Sequence, residues 1–203
     1  DKSQPLVLDE IQLEWIRHID ECMAAGHRKI GILAPWGSGK STIIAIALPL
    51  WLLASNQRLR IGVLCNTDAN ASKRLQSCEA YIESDETFRG TFPHVQKDPA
   101  VWNDHKLRVQ RDVILNEASV EGYGIDSSGT SVRADVLILD DICDDKDLHS
   151  PTIREKRIQQ YFNVWDPRVT TEGWQFCIAT RWHQEDVISA LLASSEWKFL
   201  VQA

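Results

Sequence analysis

Apolar positions along the chain repeat with two periods, and the periods alternate. Ile11, Trp15, Ile16, Ile19 and Met23 recur at helical spacing, which predicts an amphipathic helix from about residue 9 to 25. Asp9 is suited to cap its start and Gly26 to stop it. Ile30-Gly31-Ile32-Leu33 is a short apolar run and reads as a buried strand. Further strands are predicted at 61–65, at 134–141 around Val136-Leu137-Ile138-Leu139, at 174–179 and at 197–201. Between them lie helical stretches. Residues 43–54 are almost continuously apolar, and Pro49 should kink or divide that helix. Asn66-Thr67-Asp68 opens a helix to about residue 83, with Ala71, Leu75, Cys78 and Ile82 on one face. Ser150-Pro151-Thr152 starts another that runs to about Trp165. Glu185-Asp186 starts the last, with Val187, Ile188, Leu191 and Leu192 on its buried side. Strands apolar on both faces, alternating with helices, predict an α/β fold with a mainly parallel sheet.

The remaining stretches have less pattern. Residues 84–105 read as irregular and polar, interrupted by Pro93 and Pro99. Residues 106–110 and 113–117 flank Arg111-Asp112 and predict an added antiparallel hairpin. Gly122, Gly124 and Gly129 predict a flexible segment. Asp144, Asp145 and Asp147 are expected in a solvated loop. Arg154, Lys156 and Arg157 are expected on an exposed helix face, either solvated or touching DNA or a partner.

At 203 residues the chain has the size of one domain, with residues 1–29 preceding the core of 30–203. A formal charge of −7 argues against coating nucleic acid unaided, though not against a motor that touches DNA through one small patch. The eight tryptophans are scattered and read as packing. Five cysteines without metal-type spacing suit a reduced, intracellular setting. No secretory signal is visible, and the apolar stretch at 43–54 is too short to span a bilayer.

The chemistry begins where the first strand ends. Ala34-Pro35-Trp36-Gly37-Ser38-Gly39-Lys40-Ser41-Thr42 lies between a strand and a helix, the setting of a phosphate-binding P-loop, or Walker A motif. Glycines let backbone N–H groups converge on a polyphosphate, and the following helix turns its positive end toward it. Lys40 would reach the β- and γ-phosphates, and the Ser41 hydroxyl would hold Mg²⁺. A lysine at a helix start is otherwise misplaced with respect to the dipole. One hundred residues on, Asp140 and Asp141 emerge at the C-terminal end of a buried strand, where parallel sheets bind ligands. Asp140 suits Walker B, placing a carboxylate by the metal. Asp141 suits the carboxylate that orients or deprotonates attacking water. Gln12 is placed either to read an adenine edge through its amide or to sit on a helix surface. Thr180, at the tip of the 174–179 strand, is suited to sense the γ-phosphate or to cap the next helix.

In this order the residues resemble the ATPase domain of the large subunit of tailed-bacteriophage terminases, the DNA-packaging motors. The likeness covers nearly the whole chain. It includes Ala34 to Thr42, Ala47-Leu48-Pro49-Leu50-Trp51, Asn66-Thr67-Asp68, Glu83-Ser84-Asp85 to Phe88, and Arg133-Ala134-Asp135 through Asp141-Ile142. Its most specific part is Thr180-Arg181-Trp182-His183-Gln184-Glu185-Asp186, similar to that family's coupling motif, which would make Thr180 and Arg181 coupling residues. The resemblance implies a P-loop ATPase of the additional-strand (ASCE) type that hydrolyses ATP with Mg²⁺ to drive double-stranded DNA into a procapsid. It implies double-stranded DNA, a portal protein and a small terminase subunit as partners. It also implies a ring in the assembled motor, a monomer when isolated, and no membrane. The expected location is the host cytoplasm and, transiently, the procapsid. The nuclease domain that follows in such subunits is expected to be absent from this chain.

Three departures matter. Ala34 replaces the usual first glycine. Asp141 stands where many motor ATPases carry glutamate. Trp36 stands where family members often carry an arginine that would neutralise γ-phosphate charge. That task falls to another arginine. Arg133, supplied by a neighbouring subunit, is the first candidate, with Arg181 and Arg111 as alternatives and a plain surface role also open. Two other functions share these motifs: a helicase-like DNA translocase, and a module that binds nucleotide with little turnover.

Overall fold

Every strand at the centre of the molecule is apolar on both sides because helices cover both sides. In the computed structural model, which describes residues 8–129 and 132–202, the strand Ala134–Asp140 turns Val136 and Ile138 to one face and Leu137 and Leu139 to the other. All four are buried. In chain order the strands are β1 (Lys29–Leu33), β2 (Ile61–Cys65), β3 (Lys97–Asn103), β4 (Lys106–Val109), β5 (Val120–Gly124), β6 (Ala134–Asp140), β7 (Val169–Ala179) and β8 (Trp197–Val201). They form one sheet in the order β3-β4-β5-β2-β6-β7-β1-β8. From β5 to β8 the ladders are parallel, and β4 joins β5 and β3 by antiparallel ones. One strand, β7, therefore stands between β1, which feeds the P-loop, and β6, which ends in Asp140.

The helices begin where the sequence says they should. In α1 (Glu10–Ala24) Asp9 caps the Gln12 N–H and Gln12 caps back, and the chain leaves through Gly26 at φ +81°. Residues 43–54 do divide at the proline: a wide-turned segment Thr42–Ala47 leads into α2 (Leu48–Ser55), with Pro49 in its first turn, where no N–H is missed. The helix α3 (Asp68–Ser84) is capped by Thr67 and buries the stripe Ala71, Leu75, Cys78 and Ile82. These helices cover one face, packing Trp15, Ile44, Leu53 and Leu75 over Ile32, Val63 and Val136. The other face is covered by α6 (Pro151–Gln160), its wide-turned continuation Tyr161–Trp165, and α7 (Val187–Ala193). All five cysteines are free and buried. No helix among the described residues is long and apolar enough to cross a membrane.

Five expectations need correction. The antiparallel addition exists but uses other residues: β3 pairs with β4, whereas 113–117 is irregular and Ile114 lies fully exposed. The turn forms at Asp104-His105 because the Asn103 side chain accepts the His105 and Lys106 N–H groups at 3.0 and 3.1 Å. Residues 84–105 are accordingly not all irregular, since a short helix α4 (Glu86–Thr91), capped by Asp85, precedes β3. Pro99 is tolerated because β3 is an edge strand.

Two glycines of the segment read as flexible, Gly122 and Gly124, lie in β5, beneath α3. A Cβ on Gly124 would stand 2.7 Å from the Asp68 backbone nitrogen, so the glycine marks close approach of strand and helix start. Gly124→Ala is expected to cost about 1–3 kcal/mol of stability. That is a fall of roughly 2–12 °C in Tm, readable by thermal unfolding; an unchanged Tm would refute the close approach.

The acidic loop and the basic helix face are corrected together. Asp144 caps α5 (Asp145–His149), and Asp147 is wholly buried against Arg157, itself 3% exposed. Arg154 is also buried, donating to the Asp147 carbonyl at 2.7 Å and to Glu185 at 3.0 Å. Asp145 and Lys156 are exposed as expected, but Asp144, Asp147, Arg154 and Arg157 pair inside, because burying either sign alone would cost far more than burying both.

Candidate nucleotide site

Parallel register brings the motifs to one edge. Leu33 lies beside Ala179, and Asp140 beside Ile178, so the loop after β1, the end of β6 and the tip of β7 emerge together. The P-loop bends at Gly37 and Gly39, whose φ values of +78° and +79° suit glycine alone. Ala34 still enters the loop through the hydrogen bond from its N–H to the Ala179 carbonyl, so the missing glycine does not disturb the entry. Lys40 is buried, with its ammonium 3.3 Å from the Asp141 carboxylate.

Ser41 Oγ donates to Asp140 Oδ1 at 2.8 Å. A hydroxyl and a carboxylate oxygen so placed are the hard oxygen donors Mg²⁺ prefers, so this pair fits the metal that the motifs imply. The Asp140 side chain has no exposure, and its second oxygen accepts a hydrogen bond from Arg74 Nε. Burial opposes the Arg74 charge, but Asp140 more than offsets this and holds the guanidinium pKa above its ordinary value.

Asp141 is the only non-glycine residue with positive φ among those described, at +45°. That turn aims its carboxylate back over the P-loop, where Oδ1 accepts the Thr180 N–H at 3.0 Å while Oδ2 faces Lys40. Burial pushes the Asp141 carboxyl above the usual range; Lys40 pulls the other way, and Asp140 adds to the rise. A carboxyl so tuned is suited to accept a proton or to orient a water. The Thr180 hydroxyl is buried and lacks a protein partner. A buried polar atom without a partner, next to the catalytic candidate, is what a site made for a polar ligand leaves behind.

The other predicted residues divide. Gln12 does stand at the P-loop, but its amide is engaged: Nε2 donates to the Ser38 carbonyl at 3.2 Å and Oε1 accepts the Asp9 N–H at 3.3 Å. It braces the loop from α1, leaving one amide hydrogen for a base. Gln12→Ala is expected to weaken ATP binding about tenfold. Equilibrium binding of a fluorescent ATP analogue measures this, and unaltered affinity would remove Gln12 from the site. Trp36 projects from the loop, 83% exposed. Arg181 is exposed on the loop after β7. Arg133 is exposed at the opposite end of β6 and does not reach this subunit's P-loop. Arg111 is tied to the Leu115 and Glu117 carbonyls, away from the site. The segment 127–131 lies partly outside the described residues.

Sequence reasoning missed Arg74. One signal was available: it lies three residues after Ala71 and four before Cys78, a charged residue on the edge of an apolar stripe. It also missed the Asp186 side chain, which is buried and accepts the N–H groups of Trp182, His183 and Ser189, holding the turn after Thr180.

These features define an α/β fold in which one strand, β7, stands between the strand that feeds the glycine loop and the strand that ends in Asp140. The chain has the fold of large terminase ATPase domains. Thermus phage P74-26 supplies two similar structures. An arginine-to-alanine mutant of its large terminase ATPase domain superposes with a TM-score of 0.62 over 96% of this chain and 86% of that one, at 14% identity. The unmutated domain gives 0.59 over 97% and 86%, also at 14%. The Phi-28 gp11 DNA packaging motor gives 0.52 over 91% of this chain and 59% of that one, at 12%. No protein-family model matches the chain, and no curated protein sequence does.

Proposed function

We propose that this domain binds ATP with Mg²⁺ and hydrolyses it to drive double-stranded DNA into a procapsid, as the ATPase part of a terminase large subunit. The observation that carries the reading is the meeting of two motifs 100 residues apart: Ser41 on Asp140 at 2.8 Å, and Lys40 on Asp141 at 3.3 Å. Lys40 would neutralise phosphate charge, and Ser41 with Asp140 would hold the metal, which polarises the phosphates when bound. Asp141 orients the attacking water. Thr180, fixed to Asp141 through its N–H, connects that carboxylate to the segment ending at Asp186, which suits it to pass on the loss of a phosphate. The folds of the large terminase domains and of the packaging motor support the packaging role. Double-stranded DNA, a portal protein, a small terminase subunit and a ring of identical subunits are the proposed partners, in the host cytoplasm and on the procapsid.

The test is phosphate release from ATP with Mg²⁺, with and without double-stranded DNA and portal. Asp140→Asn is expected to lower release about a hundredfold or more. Normal turnover in that variant would refute the assignment. Tight ATP binding without any release, in the assembled ring as well, would favour the nucleotide-binding module, which the exposed Trp36 also suits.

A further inference from the structure

The P-loop of this chain offers the terminal phosphate one cation, Lys40, and its tip carries Trp36 instead of a second. Arg111 is held by backbone carbonyls, and Arg133 stands at the far end of β6. Arg181 is exposed on the loop after β7, and of these arginines it is Arg74 that the subunit's own fold pairs with a carboxylate of the site. It projects from α3 at the edge of the buried stripe, with 28% of its side chain exposed, and its guanidinium rests on Asp140.

That carboxylate is fully committed: one oxygen to the Ser41 hydroxyl, the other to Arg74. A divalent ion held by Ser41 and Asp140 would sit on the same carboxylate, beside the oxygen that Arg74 holds. The ion and the guanidinium are both cations, so they repel when both rest on one buried carboxylate. Arg74 must yield Asp140 when Mg²⁺ takes it. A half-buried guanidinium released there needs a new anion, because an unpaired buried charge is costly. The anion that arrives with the metal is the triphosphate, and arginine's planar fork of donors matches phosphate oxygens.

We propose that Arg74 is a catalytic arginine acting within its own subunit: Asp140 holds it until Mg²⁺ claims that carboxylate, and it then sets its guanidinium on the terminal phosphate. This rests on the nucleotide reading of the site and deepens it. In the reaction, water forms a bond to the γ-phosphorus, and the bond from that phosphorus to the bridging oxygen breaks. ADP leaves with the bonding pair, and the water's proton passes to Asp141 or the phosphate. Arg74 transfers no proton; it stabilises the charge that builds on the phosphoryl oxygens.

The experiment compares wild type, Arg74→Met and Arg74→Lys, each first verified as folded by thermal unfolding. Two readouts need no turnover. The first is the Mg²⁺ concentration that half-saturates binding of AMP-PNP. Arg74→Met is expected to need about tenfold less Mg²⁺, since nothing competes for Asp140. Arg74→Lys keeps the charge and stays near wild type. The second is the affinity that aluminium fluoride adds to ADP and Mg²⁺ by mimicking the phosphoryl group in transfer. Wild type gains, Arg74→Met loses most of the gain, and Arg74→Lys keeps part of it. The proposal is overturned if wild type binds AMP-PNP with Mg²⁺ but Arg74→Met matches it in both readouts, or if wild type gains nothing from aluminium fluoride. A wild type that fails to bind AMP-PNP at any Mg²⁺ concentration overturns the nucleotide reading itself, and this proposal with it.

Discussion

Lys40→Ala is expected to reduce ATP hydrolysis by about a hundredfold or more. The reason lies in where the fold puts the ammonium. It is 4% exposed and faces Asp141 at 3.3 Å, so a positive charge is kept out of water beside the carboxylate assigned to the attacking water. A desolvated lysine at the mouth of the loop is worth far more to a phosphate than one on the surface. Its removal also takes away the cation that opposes the upward push of burial on Asp141, leaving that carboxyl more readily protonated. Two functions are therefore lost at once. Phosphate release at saturating Mg²⁺ measures the effect, with thermal unfolding to verify an intact fold. Turnover near that of wild type would end the P-loop interpretation.

Arg157→Met is expected to be the most damaging single change to stability away from the phosphates. Arg157 is buried and serves two carboxylates, Asp144 at 3.0 Å and the fully enclosed Asp147. Burial by itself pushes the Asp147 carboxyl upward, with the Asp144 N–H and Arg157 pulling it back. Removing the cation strands a charge, which costs about 3–5 kcal/mol. For a chain of this size that is a fall of roughly 6–20 °C in Tm. Arg157→Met combined with Asp147→Leu should recover much of the loss, because an apolar pair of similar bulk needs no counter-ion. If the single variant melts within a degree or two of wild type, the pair does not hold α5 and α6 together.

What could be read from the residues was local. Asp9, Thr67 and Ser150 each marked a helix start that the fold uses, because a cap is decided within four residues. Five of the six strands of the parallel core were legible because burial on both faces leaves no polar position to confuse the period; β5 was not, because Gly122 and Gly124 read as a flexible segment. The P-loop and the two aspartates were legible for the same reason, each being a continuous string. Arg74 was not, because its partner lies 66 residues away and its role depends on where α3 crosses the sheet edge. The acidic loop was misread because Asp147 and Arg157 look like any surface charges until tertiary packing encloses them. The hairpin was misread because 113–117 has strand-like composition, while Asn103, through its side-chain turn, selects a different partner for β4.

Asp141 has one more implication. Its backbone sits in the left-handed region that a Cβ disfavours by about 1–2 kcal/mol, and the surrounding fold compensates for it. Glycine there would relax the chain and erase the carboxylate in the same change. Selection for heat tolerance and selection for the proposed hydrolysis therefore pull this codon in opposite directions, and a thermally hardened descendant that kept aspartate would have had to find its extra stability somewhere else.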